Sequence, residues 1–218
     1  MGPSSSLRKV LAAYGDSRVG QAHVLSRMVT CPVTPVVQRL PRSGTVLDAG
    51  CGHGLFSLVA ALDAPQRRIV GVDIDADKLD LARHAAVRLG VADRVQFDLT
   101  DGDLPDGRFD AVMCNDVLYL LGLERARKLL ADMAARVAPG GVVLVKDMSD
   151  RPAWKARWNH LQEVGATKVF RYTEGDQLEM VLPADIEAPL REAGLSVEQA
   201  RIDRGYPHPH LLIVARRP

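Results

Sequence analysis

In "VLDAGCGHGLF", Val46 to Phe56, an apolar run closes on an acid, Asp48, and three glycines follow at alternate positions, Gly50, Gly52 and Gly54. Glycine carries no Cβ, so such a turn can adopt left-handed backbone and let a ligand lie against the main chain. The residues around the glycines limit which ligand. A phosphate-binding P-loop ends in Gly-Lys-Ser/Thr, whereas Leu55 and Phe56 follow Gly54 here. A dinucleotide fingerprint reads G-x-G-x-x-G, and the G-x-G-x-G spacing with His53 before the last glycine departs from it. Asp48 inside the turn would repel a phosphate and favour a cation. Further polar residues end or follow apolar runs: Asp73 in "VGVDID", Asp101 in "FDLTDGDLP", Asn115 and Asp116 in "VMCNDVLYL", and Asp147 in "VVLVKD". A carboxylate such as Asp73 has two oxygens and can accept from two adjacent hydroxyls.

The elements that must position these residues alternate. "TVLDAG", "RIVGVD", "RVQFDL", "FDAVMCN" and "GVVLVKD" read as strands, and "GLFSLVAALDA", "ADKLDLARHAAVRLG" and "ERARKLLADMAARVAPGG" as the helices between them. Asp75 is placed to cap the second of these helices, Gly90 to end it, and the Pro-Gly-Gly break to end the third. Such alternation predicts an α/β, doubly wound parallel sheet with right-handed crossovers. After a helix near 183–193, "SVEQARI" and "HLLIVARR" are joined by a short Pro-rich link that cannot hold a crossover helix. The last of the seven strands must therefore run antiparallel. Residues 1–43 read as helices with a Pro-punctuated end. Residues 151–182 interrupt the rhythm, with Trp154, Trp158 and Leu161 on one helical face and a hairpin over "KVFRYTEGDQLEMVL".

With these residues in place, "VLDAGCGHG" resembles the first motif of class I S-adenosylmethionine-dependent methyltransferases, in the group acting on small molecules. That cofactor carries an ammonium and a sulfonium and no phosphate, which agrees with the acid at Asp48. The resemblance covers about residues 44–148 and, more weakly, the last strands. It implies a Rossmann-like sheet whose antiparallel last strand is the family's topology, and S-adenosyl-L-methionine as cofactor. It implies a cofactor site of Asp48, Gly50, Cys51, Gly52 and Gly54 in the first motif. Asp73 would hold both ribose hydroxyls, and Ile74 would lie against the adenine. Asp101 would accept from the adenine amino group beside the Gly102 N–H, with Asp98 and Asp103 as other registers. A backbone carbonyl near Asn115 would meet the methionine ammonium.

The resemblance further implies methyl transfer to a small organic acceptor, at oxygen rather than nitrogen, by in-line displacement. No Asn/Asp-Pro-Pro-Tyr/Phe segment follows the fourth strand, where enzymes methylating adenine or glutamine nitrogens carry one. Ligands of open α/β sheets bind at the carboxyl ends of the strands, so Asp116 and Tyr119 are the candidate catalytic residues there. Asp147 ends the fifth strand on that edge. Because the last strand reverses, its "GYPHPH" link returns to the same edge and adds Tyr206 and His208, the latter with a pKa suited to base catalysis. Residues 1–43 are expected to be a helical lid, with Tyr14, Arg18 and His23 near the cofactor. Residues 44–218 would be the methyltransferase domain, and 151–182 a flap over an apolar or aromatic acceptor or a contact within a homodimer. A cofactor-binding protein without transferase activity, and a nicotinamide-dependent oxidoreductase, are the competing readings.

The bulk numbers exclude other classes. The net charge is +1, which gives no footprint for nucleic acid. No apolar run approaches the ~20 residues of a membrane helix, and "MGPSSSLRKV" has no signal-peptide core. Three cysteines, far apart, make neither a disulfide framework nor a metal site, so no metal and a cytoplasmic location are expected.

Overall fold

A computed structural model describes residues 3–149 and 181–218. The expected flap with Trp154 and Trp158, and its hairpin, lie outside the described residues apart from Val181 and Leu182.

Three helices come first: α1 (Pro3–Ala13), α2 (Arg18–Thr30) and α3 (Val33–Val37). Ser17 caps α2, its hydroxyl accepting from the Gly20 N–H at 3.0 Å. A Cβ on Gly20 would stand 2.5 Å from the Tyr14 ring, so glycine there admits the tyrosine that ties this layer down. Then follow β1 (Ser43–Ala49), α4 (Leu55–Asp63), β2 (Gln66–Asp73), α5 (Ala76–Arg88), β3 (Val95–Leu99) and β4 (Phe109–Asn115). A 3-10 turn at Leu118–Leu120 leads to α6 (Leu123–Arg136), β5 (Val137–Met148), α7 (Pro183–Glu192), β6 (Ser196–Arg201) and β7 (His210–Arg216). Asp75 caps α5 by accepting from Lys78 N–H at 3.1 Å, and Gly90 follows the helix in left-handed conformation, φ +65°.

The strands form one seven-stranded sheet in the order β3-β2-β1-β4-β5-β7-β6. Neighbours from β3 to β5 pair parallel, and β7 runs antiparallel between β5 and β6. The expected topology is therefore observed. One boundary differs. Pro139-Gly140-Gly141 was expected to separate helix from strand, yet it lies inside β5, whose pairing with β4 starts at Phe109 and Val137 and shifts register before Ala111. Gly140 absorbs the irregularity at φ +74°.

Apolar residues fill both faces of the sheet. Val46, Met113, Leu144 and Leu212 look toward α1 to α5, and Leu47, Val112, Val143 and Ile213 toward α6 and α7. The cross-strand register puts Asp48, Asn115, Lys146 and His210 on the first of these faces at its carboxyl edge. A row of polar groups thus lies buried where the sheet meets the N-terminal helices. At the opposite end of β2, Arg67 is wholly buried and donates to the carbonyls of Pro41, Ala60 and Leu40 at 2.6, 2.9 and 3.1 Å. That arginine fastens the chain entering β1 to α4.

Candidate active site

The glycine turn needs its glycines. Gly50, Gly52 and Gly54 have φ of +70°, +52° and +75°. A Cβ would meet Val117 at 2.6 Å from Gly50, and Phe97 at 2.7 Å from Gly54. At Gly52 the space is open, with Asp73 Oδ2 4.0 Å away. The main chain of Gly52 is thus bare toward Asp73. The Asp73 carboxylate accepts from the Gly52 N–H at 2.7 Å and the Asp75 N–H at 3.0 Å, which fixes it between turn and helix. Each oxygen keeps a lone pair for a further donor. Beside it, Ile74 is 71% exposed and Leu99 57% exposed, two bare apolar side chains at the ends of neighbouring strands. Within β3, Asp98 accepts from Gln96 at 2.8 Å, and beyond it Asp103 pairs with Lys128 at 2.9 Å. Asp101, on the exposed turn with Gly102, is the remaining acid of the three.

Asp48 is buried beneath the turn and accepts from Ser57 Oγ at 2.6 Å. Burial pushes its carboxyl up to about 7, against the pull of the serine hydroxyl. The Asn115 amide faces Asp48 closely enough to favour its charged form, but its own nitrogen and oxygen are buried without hydrogen-bond geometry to any described group.

The N-terminal layer closes this turn from outside. The Tyr14 hydroxyl donates to the His53 carbonyl, and burial raises its pKa. The His23 ring stacks on His53, centroids 4.1 Å apart and planes at 26°. Burial, and then the neighbouring His53, bring His23 down to about 3, so the stack is neutral near pH 7. Tyr14 and His23 therefore meet the glycine turn, whereas Arg18 is exposed.

One turn along α2 from His23, Arg27 reaches the exit of β4. Its Nη1 donates to Asp116 Oδ2 at 2.8 Å, and Lys146 Nζ donates to Asp116 Oδ1. The Cys31 thiol is 3.6 Å from Oδ2. Burial opposes the charge on Asp116, but Lys146 and Arg27 outweigh it and hold the carboxyl down at about 2. Asp116 has φ +58°, the one described non-glycine residue with positive φ, and its N–H donates to the Lys146 carbonyl at 2.9 Å. This corrects an expectation. A carboxylate locked between two cations is no general base, so Asp116 acts as an anchor. Tyr119 is half-buried in the 3-10 turn, near Arg27.

His210 was not singled out in the sequence. Its Nε2 lies 2.6 Å from the Thr30 carbonyl and must donate to it, and burial brings the ring down to about 4. Tyr206 and His208, which were singled out, stand edge-on to it with centroids 6.1 Å away in each case. On the opposite face of β5, Asp147 accepts from the Met148 N–H at 2.7 Å. Its Oδ2 is buried without a hydrogen-bond partner among the described residues, and burial pushes the carboxyl up to about 7. Of the groups the sequence reading overlooked, Lys146 left a trace, a lone charge near the end of an apolar strand. Arg27 and His210 left none.

Comparison with known proteins agrees with this geometry. Residues 46–141 match a family model described as "Methyltransferase domain". The ribosomal protein L11 methyltransferase of Burkholderia mallei is 39% identical over 110 residues, 50% of this chain and 33% of that protein. A solved S-adenosylmethionine-dependent methyltransferase, SibL in its apo form, superposes with TM-score 0.72 at 26% identity, covering 92% of this chain and 57% of that one. An O-methyltransferase family protein from Burkholderia thailandensis gives TM-score 0.71 at 24% identity over 93% of this chain and 61% of that one. The chain spans between a quarter and two-fifths of the length of the curated relatives it matches, 26% to 40%.

In fold, glycine turn and the match over residues 46–141 the chain is similar to class I S-adenosylmethionine-dependent methyltransferases, and S-adenosylmethionine is the cofactor of that class. The residues present fit it. The open main chain at Gly52, the fixed Asp73 carboxylate and the bare Ile74 and Leu99 side chains suit a ribose and a base, while Asp48 and Asn115 lie where positive charge is welcome.

Proposed function

We propose that the protein transfers a methyl group from S-adenosylmethionine to an oxygen of a small organic acceptor. The observation that carries this reading is the arrangement around Gly52: bare main chain, a carboxylate fixed at the end of β2, and an apolar shelf beside it. In this reading Asp73 binds the ribose hydroxyls, Asp101 and the Gly102 N–H the adenine edge, and Ile74 with Leu99 its faces. The carbonyl at Asn115 and the Asp48 carboxylate receive the amino-acid end. Residues 1–43 form the cover over that end.

When bound, the cofactor supplies an electrophilic methyl whose leaving sulfur departs neutral. The protein's own contribution is then to position the acceptor, which can supply as much as ~7–11 kcal/mol. His208, Tyr206 and Tyr119 border the acceptor side, with His208 the candidate to take an acceptor proton. Oxygen is favoured over nitrogen by "NDVLYL" after β4, which lacks the Pro-Pro-aromatic segment of base and glutamine methylation. A second reading, transfer to a protein amine, draws on the L11 methyltransferase relatives, but the shared stretch is the cofactor half. Free cysteines, two of them buried, favour the cytoplasm.

The test is formation of S-adenosylhomocysteine and labelled product from S-adenosylmethionine with phenols, quinols and carboxylic acids. Turnover with none of them, alongside turnover on a protein or amine acceptor, would remove the oxygen assignment.

A further inference from the structure

We propose that Arg27, with Lys146 buried behind it on the same carboxylate, forms a seat for an anionic group of the acceptor, a carboxylate or comparable oxyanion, at the exit of β4; this rests on the methyl-transfer reading above. Two cations share one carboxylate there. Lys146 and Arg27 both pair with Asp116, with side-chain exposures of 0% for Lys146, 2% for Asp116 and 29% for Arg27. Among the described residues, no second acid forms an ion pair with either cation. The other described groups facing the cluster form no ion pair with either cation. The Cys31 thiol is pushed up to about 11 by burial and stays protonated. His210 donates from Nε2 to the Thr30 carbonyl and is neutral. Asp147 follows Lys146 in the chain but points to the other face of the sheet, its carboxyl held up at about 7 by burial. Two cations thus share one carboxylate, and the second positive charge, on the part-exposed Arg27, is open to an anion.

Arg27 is shaped to receive that anion. Only Nη1 is used on Asp116, which leaves Nε and Nη2 to form the planar fork that matches a carboxylate. The position also fits. Asp116 directly follows Asn115 at the edge where the cofactor's amino-acid end is assigned, and Tyr119 lies near the guanidinium. His210, with Tyr206 and His208 around it, bonds to the residue preceding Cys31. Asp116 is held in left-handed backbone by its N–H bond to Lys146, a strained geometry of the kind found where function fixes a side chain. It ties both cations together, the buried Lys146 from the sheet and the part-exposed Arg27 from α2.

The experiment uses the full chain saturated with S-adenosylhomocysteine and titrates benzoate and 4-hydroxybenzoate against their amides by calorimetry or ligand-observed NMR. The acids should bind about tenfold or more tightly than the amides. Arg27→Gln should abolish that preference with the melting temperature retained, and Arg27→Lys should keep part of it. Equal binding of acid and amide, no acid binding at millimolar concentration, or a preference that survives Arg27→Gln would overturn the inference. So would a loss of S-adenosylhomocysteine affinity in Arg27→Gln equal to the loss for benzoate, because the charge would then serve the cofactor's own carboxylate. A wild type that does not bind S-adenosylhomocysteine at all rejects the methyltransferase reading instead, and an acid preference measured without the nucleoside would still stand.

Discussion

Asp73 holds the protein together at the place where it is expected to hold its ligand. Its two oxygens receive the Gly52 and Asp75 N–H groups, so the carboxylate proposed to bind the ribose also sets the glycine turn. Asp73→Ala should therefore do two things. Loss of two hydrogen bonds to a charged acceptor, ~1.5–3 kcal/mol each, should weaken S-adenosylhomocysteine binding about a hundredfold or more by calorimetry. Two orphaned N–H groups should also lower the stability of the ligand-free protein by ~1–3 kcal/mol in urea titration. An unchanged dissociation constant would leave Asp73 a turn former only. Asp147 supplies a pH signature. Its folded pKa of about 7 lies above the unfolded value of 3.8, so the folded chain keeps a proton that the unfolded chain has released. That contribution is complete below about pH 4 and is lost as pH rises to about 7. Asp147→Asn keeps an acceptor for the Met148 N–H without the charge. The melting temperature of the variant relative to wild type should climb between pH 4 and 7 and then level off. A constant difference would mean that Asp147 is ionised and solvated throughout.

At the scale of elements, the fold's requirement for glycine is local. Gly54 and Gly90 both have positive φ, yet a Cβ at Gly54 would press on Phe97 and Ala82 at 2.7 and 2.9 Å while at Gly90 it would meet nothing within 4 Å. Gly90→Ala should cost the left-handed strain alone, ~1–2 kcal/mol. Gly54→Ala should cost an additional ~1–3 kcal/mol for overpacking between α4, α5 and β3. Matched thermal melts would show the difference, and equal melts would mean that the ring and helix give way. The same elements show how far the sequence could be read. The strand and helix alternation, the Asp75 cap and the reversed last strand all follow from local pattern and link length, and each is present. Pro139-Gly140-Gly141 falls inside β5 only because Val137 already pairs with Phe109; the tripeptide itself has no partner in β4, and the ladder resumes at Ala111 and Val142. The glycine turn and Asp73 were legible because one short segment carries each. The Arg27–Asp116–Lys146 cluster was not, since its partners stand 89 and 30 residues apart and meet only once α2 lies across the sheet. His210 was hidden for the same reason, its bond to Thr30 spanning 180 residues.

For the molecule as a whole, the N-terminal helices and the sheet are joined across the proposed ligand site. Tyr14 and His23 meet the glycine turn, Arg27 meets the end of β4, and His210 meets the end of α2. A ligand seated among these contacts binds the folded chain and has nothing comparable in the unfolded one. Its stabilisation is then set by mass action, about 2.7 kcal/mol at a hundred times the dissociation constant. For a domain of this size 1 kcal/mol moves the melting temperature by ~2–4 °C, so saturating S-adenosylhomocysteine should raise it by roughly 5–11 °C. NAD offers a sharp control. It has a ribose for Asp73 but also a pyrophosphate, which would lie against the Asp48 end of a turn whose glycine spacing does not fit it. NAD should leave the melting temperature unchanged at the same concentration. A shift with NAD and none with S-adenosylhomocysteine would overturn the cofactor assignment, and a shift with both would place the discrimination in some feature other than the glycine turn.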